Sequence, residues 1–110
     1  MKITVINGTE KHGVTYRLKE IFLETFSDAD ITEFYLPKDC PNFCIGCTRC
    51  ILKGESTCKD VNKISVITKA LLKADLIVMT SPAYVMHTTG AMKALLDHLA
   101  YLWMPHRPAP

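Results

Sequence analysis

The sequence predicts an α/β fold built on a doubly wound parallel sheet. Three short, largely apolar segments, residues 2–6, 31–36 and 76–79, are strand candidates. Apolar residues at helical spacing follow each of them along the chain. Because connections between parallel strands are right-handed, this β-α-β-α-β-α order gives a parallel sheet with helices on both faces.

Length and composition indicate one ordinary globular domain. The chain has 110 residues, of which 48% are hydrophobic and 22% charged, with a net charge of +2. Its thirteen Lys and Arg residues are scattered, which argues against a nucleic-acid or membrane partner and favours small molecules. No apolar run approaches the roughly 18 to 20 residues of a membrane helix, and the chain opens on a strand pattern, so we expect a cytoplasmic protein.

The first strand runs into a loop, residues 7–15, that contains two glycines and leads into a helix. A strand, loop and helix in this order direct backbone N–H groups at an anion, and the loop suits one terminal phosphate. A plain turn with Thr15 as the helix N-cap is the alternative. The helix has an apolar face that we expect to pack on the sheet, formed by Leu18, Ile21, Phe22 and Phe26.

The middle of the chain predicts an edge strand, a long loop and a second helix. Residues 31–36 include the charged Glu33 and end at Pro37, which is typical of an edge. Residues 37–60 lack periodicity, and loops of that length usually carry function. Asp60 is a candidate N-cap for a helix that presents Val61, Ile64, Ile67 and Leu71.

Residues 76–79 are uniformly apolar, as in a parallel strand buried on both faces. The loop that follows lies where ligands bind in open α/β sheets, and a helix begins at about Thr89. Its apolar stripe comprises Met92, Leu95, Leu96, Leu99 and Trp103. No fourth strand follows, so residues 1–103 are interpreted as the N-terminal part of a larger domain, or a partner supplies the missing edge. Residues 104–110 form a proline-rich tail or truncation point.

Five cysteines in a cytoplasmic chain do not predict a disulfide framework, and an odd number would leave one unpaired in any case. Cys44, Cys47 and Cys50 recur at every third position, and Cys58 follows after seven residues. This spacing suits an iron–sulfur cluster, with Cys40 left over. Zinc and metal-free thiols stay open as alternatives, although zinc usually takes two separated C-x2-C pairs.

Both loops resemble the flavodoxin-like NAD(P)H-dependent FMN reductase family, and the resemblance covers essentially the whole chain. The motifs that carry it are 6–9 with 13–15 for the first loop, and 80–84 with 90–93 for the second. The resemblance implies that FMN phosphate is held by Thr9, Lys11, His12, Gly13, Val14 and Thr15. It implies that the isoalloxazine ring contacts Pro82, Ala83, Tyr84 and Val85. The chain departs from the family at Val14, often polar in relatives, and in lacking the second half of the fold, which supplies a third loop.

The cysteine spacing is similar to the compact motif of iron–sulfur flavoproteins, FMN proteins of the same fold with a [4Fe–4S] cluster. The resemblance implies electron transfer from NAD(P)H through FMN to a small acceptor or to a cluster, in a homo-oligomer. No side chain is expected to act as nucleophile or base, and we assign no role to His98 or His106. The alternative is a non-enzymatic electron-transfer or metal-binding module that uses the cysteine-rich loop 37–60.

Overall fold

The sheet has three parallel strands in the order β2-β1-β3. In the computed structural model, which describes residues 1–99 and 102, β1 spans Lys2–Asn7, β2 Asp30–Tyr35 and β3 Leu76–Thr80. Val5 on β1 lies opposite Glu33 on one side and Val78 on the other. The predicted strands and the parallel α/β fold are confirmed, and β2 lies at an edge as expected.

The helices in the described part of the chain are α1 (Val14–Leu23), α2 (Arg49–Lys53), α3 (Val61–Lys73) and α4 (Gly90–His98). The short α2 falls within the segment 37–60 that was predicted as a loop. Short 3₁₀ turns follow α1 at Glu24–Phe26 and α2 at Glu55–Thr57. The start of α4 is as predicted, because the Thr89 hydroxyl accepts a hydrogen bond of 3.1 Å from the Met92 N–H. The predicted Trp103 and the tail 104–110 lie outside the described residues. Among the residues described, none of the helices has the length and apolar character needed to cross a membrane.

The main core lies between the sheet and helices α3 and α4. Its best-buried members include Ile6, Leu36, Ile64, Ile67, Leu95 and Leu99. Thr4 is also buried on this face, and its hydroxyl donates a hydrogen bond of 3.0 Å to the Ala70 carbonyl on α3. Asp60 precedes α3 as predicted, but its carboxylate makes no capping bond and contacts other residues instead.

The opposite face of the sheet carries a smaller core, formed by Ile3, Val5 and Leu23, and one expectation fails there. Leu18, Ile21 and Phe22 of α1 are 62%, 49% and 46% exposed, so the prediction that they pack on the sheet is wrong. Instead α1 buries Lys19 and Leu23. The fourth residue of the predicted face, Phe26, packs against the smaller core as expected.

The prediction that the third strand is buried on both faces is also wrong. On the main-core face of β3, Ile77 and Met79 are 45% and 44% exposed. Both failures have one cause: β3 is an edge strand, and in the described part of the chain no element covers the space beyond it.

Candidate functional site

The loops that follow β1 and β3 are joined at the carboxyl edge of the sheet. The Gly8 N–H donates to the Thr80 carbonyl at 2.7 Å, and the Thr89 hydroxyl donates to the Gly8 carbonyl, also at 2.7 Å. The Thr89 N–H in turn donates to Ser81 Oγ at 3.0 Å. Thr89 is buried, so these bonds are shielded from water. Two segments about 80 residues apart in sequence therefore form one rim.

A cleft of about 210 Å³ opens between these two loops. Seven of the ten predicted cofactor residues line it: Thr9, Lys11, Gly13, Val14, Thr15, Pro82 and Tyr84. The first five come from the loop after β1 and the start of α1, and the last two come from the loop after β3. The structure thus brings together the two loops that the sequence analysis paired.

The wall formed by the first loop has the chemistry of an anion site. Helix α1 begins at Val14 with Gly13 as its N-cap, so the N–H groups of its first turn have no acceptor within the helix. The Thr9 hydroxyl oxygen accepts a hydrogen bond of 3.2 Å from the Lys11 N–H, which orders the loop. The side chain of Lys11 is exposed, and its ammonium group can reach an anion in the cleft.

The other three predicted cofactor residues, His12, Ala83 and Val85, lie outside the lining of the cleft. The His12 ring is stacked on Tyr16, with 4.0 Å between centroids and 2° between planes. Val85 and its neighbour Met86 are 97% and 98% exposed at φ of 49° and 64°. They form the tip of a tight turn in which Tyr84 and His87 pair through backbone hydrogen bonds of 2.8 and 3.1 Å. An apolar turn therefore projects from the rim of the cleft.

A buried ammonium group supports the start of α1. Lys19 Nζ is fully buried and contacts carboxylate oxygens of Glu20 at 2.6 Å and Glu33 at 2.7 Å. It also lies 4.1 Å from the ring centroid of Tyr16, on which His12 stacks. Burial alone would lower the pKa of Lys19, but the hydrogen bonds to both glutamates outweigh it and raise that pKa. Lys19 therefore stays charged and ties α1 to β2.

We expect Lys19→Met to lower the free energy of unfolding by about 2 kcal/mol, because the partly buried carboxylate of Glu33 loses its ammonium partner. Urea unfolding followed by circular dichroism measures the change. Arg17→Met, at an exposed position of the same helix, is the matched control and should stay within about 0.5 kcal/mol of the parent protein. Equal midpoints for the two variants would contradict this role for Lys19.

The four predicted metal-binding cysteines converge on a second cavity, of about 30 Å³. Cys44, Cys47, Cys50 and Cys58 all line it, and all are free thiols. Positive φ angles at Gly46 (72°) and Thr48 (61°) fold the chain around the cavity. Backbone N–H groups of Gly46 and Asp60 each lie 3.4 Å from a cysteine sulfur, Cys44 Sγ and Cys58 Sγ respectively. Converging thiols that accept backbone hydrogen bonds fit an iron–sulfur cluster.

Two of the cysteines have a raised pKa. Burial, helped by the neighbouring Cys58, raises the pKa of Cys50. Burial also raises the pKa of Cys40 to about 11, with smaller effects from Asp60 and Cys58. Cys40 belongs to the main core and lies outside the lining of the cavity. It therefore stays a neutral thiol near pH 7, while a cation bound in the cavity would favour the Cys50 thiolate.

The sequence analysis missed His98, which lines the cysteine cavity together with Lys59 and Asp60. His98 is 5% exposed, and its Nε2 lies 2.8 Å from the Asn42 carbonyl and 3.6 Å from Asp60 Oδ2. Burial alone would raise the pKa of Asp60, but hydrogen bonds from Lys59 and Asn42 hold it below its usual value. Only one signal in the sequence pointed to His98: it lies three residues after Leu95, next to the apolar stripe of α4.

Comparison with known proteins adds two findings. The chain matches the family described as NADPH-dependent FMN reductase over residues 1–109. An iron–sulfur flavoprotein of Methanocaldococcus jannaschii is 33% identical over 100 residues, which cover 88% of this chain and 51% of that protein. Two iron–sulfur flavoproteins of Archaeoglobus fulgidus also match. One is 33% identical, over 88% of this chain and 48% of its own length. The other is 22% identical, over 96% of this chain and 47% of its own length.

The chain spans about half the length of these curated relatives. The family match, by contrast, covers nearly all of the chain, and it agrees with the α/β fold and with the cleft at the carboxyl edge of the sheet. The chain belongs to the NADPH-dependent FMN reductase family.

Proposed function

We propose that the protein is a flavin-dependent oxidoreductase that binds FMN in the cleft between the loops after β1 and β3. In this proposal NAD(P)H is the electron donor, and the acceptor is a small molecule or a [4Fe–4S] cluster held by Cys44, Cys47, Cys50 and Cys58. The observation that carries the proposal is the cleft itself, where the predicted phosphate loop and the predicted flavin loop meet. The cytoplasmic location and the homo-oligomer stay predictions.

The residues of the first loop would bind the phosphate. The N–H groups at the start of α1 donate hydrogen bonds, the hydroxyls of Thr9 and Thr15 can add two more, and Lys11 supplies positive charge. His12 would act indirectly, because its stacking on Tyr16 fixes the loop from outside the cleft.

The second loop would hold the flavin ring. Pro82 and Tyr84 line the cleft and offer apolar surface to a flat aromatic group, and the neighbouring Ala83 and Val85 can contribute backbone groups. When bound, FMN supplies the exchange between two-electron and one-electron transfer, and the protein supplies orientation and electrostatics. We assign no side chain the part of a nucleophile or general base.

Charge reversal at the phosphate loop tests the cleft. We expect Lys11→Glu to weaken FMN binding about tenfold or more, because a carboxylate replaces an ammonium group beside the phosphate. Quenching of flavin fluorescence on titration measures the affinity. Since exposed charges are screened by salt, the effect should shrink as ionic strength rises.

Lys69→Glu is the matched control, because it makes the same charge change at an exposed position of α3 that does not line the cleft. It should leave FMN affinity within about twofold of the parent protein, a difference of about 0.4 kcal/mol. If Lys11→Glu binds FMN as tightly as Lys69→Glu does, the phosphate assignment is wrong.

The second candidate function is a non-enzymatic electron-transfer or metal-binding module, and the convergence of four cysteines on one cavity favours it. The absorbance spectrum after anaerobic purification separates the two, with iron, sulfide, zinc and FMN analysis alongside. Flavin bands that bleach on addition of NADH or NADPH support the oxidoreductase. A broad brown absorbance without flavin bands supports the module, and a colourless protein with stoichiometric zinc contradicts an electron-transfer role.

A further inference from the structure

A hydrogen-bonded clamp joins the cysteine-rich loop to the end of α4. It consists of Asn42, Asp60 and His98, and it holds both ends of the loop at once: Asn42 precedes Cys44 by two residues, and Asp60 follows Cys58 by two. The Asn42 side-chain amide donates to Asp60 Oδ1 at 2.8 Å. His98 Nε2 lies 2.8 Å from the Asn42 carbonyl and 3.6 Å from Asp60 Oδ2.

The geometry fixes the role of the imidazole. A carbonyl oxygen only accepts hydrogen bonds, so Nε2 carries the proton and donates it to Asn42. The side chain of His98 is 2% exposed and that of Asp60 is 8% exposed, so water competes little for these bonds. The other end of α4 is fixed as well, because Thr89 binds the Gly8 carbonyl and Leu95 is fully buried in the core. His98 therefore attaches the loop to a helix that is packed into the core.

One further polar contact holds the middle of the loop, where the buried Thr68 hydroxyl on α3 donates a hydrogen bond of 2.6 Å to Glu55 Oε1. Three of the loop's large apolar side chains face solvent: Phe43, Ile45 and Leu52 are 72%, 65% and 73% exposed. Cys44 and Cys47 are exposed as well. With so little apolar surface buried, hydrophobic packing contributes little to the position of the four thiols. Polar contacts therefore carry most of the constraint: Glu55 with Thr68 in the middle of the loop, and the clamp at its two ends.

We propose that His98 is a positioning residue for the cysteine site, which sets the spacing of the four sulfur atoms by holding Asn42 and Asp60 against α4. This inference rests on the proposed cluster. Residues that hydrogen-bond a metal ligand directly typically change metal affinity by about 10–100-fold when they are replaced. His98 acts one contact further out, through Asp60, whose N–H lies 3.4 Å from Cys58 Sγ, so we expect the lower end of that range. The expected consequence is a loop that is ordered before the cluster binds, with affinity and reduction potential that depend on the donor at position 98.

A single metal ion bound by Cys58, Asp60 and His98 is the competing interpretation, because their ligand atoms lie within 4.8 Å of one another. The hydrogen bonds argue against it. Asp60 is already paired with the Lys59 ammonium at 2.6 Å and with the Asn42 amide, and the Nε2–H of His98 is directed at a carbonyl. A metal ion would have to displace all three contacts.

Two variants of different hydrogen-bonding capacity test the proposal. His98→Gln keeps an N–H donor at a similar reach, whereas His98→Leu keeps the bulk and loses the donor. In metal-free protein, we expect His98→Leu to speed hydrogen exchange of residues 42–60 about tenfold and His98→Gln to change it little. After anaerobic reconstitution with iron and sulfide, His98→Leu should lose its cluster to a chelator about tenfold faster and show a shifted reduction potential, and His98→Gln should restore both.

The outcomes separate the inference from the proposed function. Parent protein that takes up iron and sulfide, with both variants behaving like it, overturns the clamp and leaves the cluster in place. Equal loss of the cluster in the two variants overturns the clamp too. So does a His98→Leu protein whose FMN affinity and unfolding midpoint fall as much as its cluster retention does. One equivalent of zinc, retained by the parent and lost by both variants, supports the three-ligand site instead. Parent protein that takes up no iron contradicts the proposed cluster, whereas faster exchange of 42–60 confined to His98→Leu still supports the clamp.

Discussion

Cys47→Ser is expected to lower the iron and sulfide content per chain about tenfold or more. Its FMN affinity should stay within about twofold of that of the parent protein. Cys47 lines the cysteine cavity from an exposed stretch of chain, so its thiol has no packing role. The cysteine cavity and the cleft between the loops after β1 and β3 share no lining residue. Metal and flavin content per chain should therefore change independently. Iron and sulfide analysis with FMN titration, after anaerobic reconstitution, gives both numbers.

Cys40→Ala is the control for the loss of a thiol. Cys40 is 2% exposed in the main core, and its raised pKa, about 11, disfavours the thiolate that a metal needs. This variant should keep its iron while it loses some stability through the small cavity left behind. If Cys47→Ser loses iron and FMN to the same extent, the loop supports the whole fold and the cysteines are not a separate site. If Cys47→Ser keeps its iron, the four-cysteine ligand set is wrong.

The features that sequence predicted well are those that depend on local pattern. The strands, the start of α4 at Thr89 and the apolar positions of α3 follow from periodicity and capping. The pairing of the two loops followed from topology, since the carboxyl ends of adjacent parallel strands share one edge. The convergence of four cysteines followed from spacing and from the resemblance, because closely spaced ligands can meet without the rest of the fold.

The features that sequence could not predict depend on what lies opposite a side chain. The amphipathic pattern of α1 shows which residues are apolar but not whether anything covers them, and Leu18 is exposed because β3 is an edge. Lys19 belongs to the polar positions of α1, and its ammonium group is buried because it contacts Glu33, which lies on β2. His98 is more than 30 residues from Asp60 in sequence, so no spacing could connect the two.

Gly8→Ala is expected to lower the free energy of unfolding by about 2–3 kcal/mol, because the rim of the cleft has no room for a methyl group. A Cβ at Gly8 would lie 2.7 Å from the Thr80 carbonyl oxygen and 3.2 Å from Ser81 Cβ. The Thr80 carbonyl is part of the backbone of β3 and cannot rotate away as a side chain could. The two loops would therefore have to separate. This would also strain the bonds from the Gly8 N–H to Thr80 and from the Thr89 hydroxyl to Gly8.

Gly90→Ala is the matched control, because a Cβ there meets nothing within 4 Å and the residue is the first of α4. Alanine at this position should be neutral or stabilise the protein by up to about 1 kcal/mol, since it restricts the unfolded chain and favours the helix. Urea unfolding and FMN titration of both variants measure the contrast. Separation of the loops should weaken FMN binding in Gly8→Ala alone. The proposed phosphate site comes from the loop after β1 and the proposed ring site from the loop after β3, so both loops must stay together. Equal stability and equal FMN affinity in the two variants would show that the contact between Gly8 and Thr80 does not hold the cleft together.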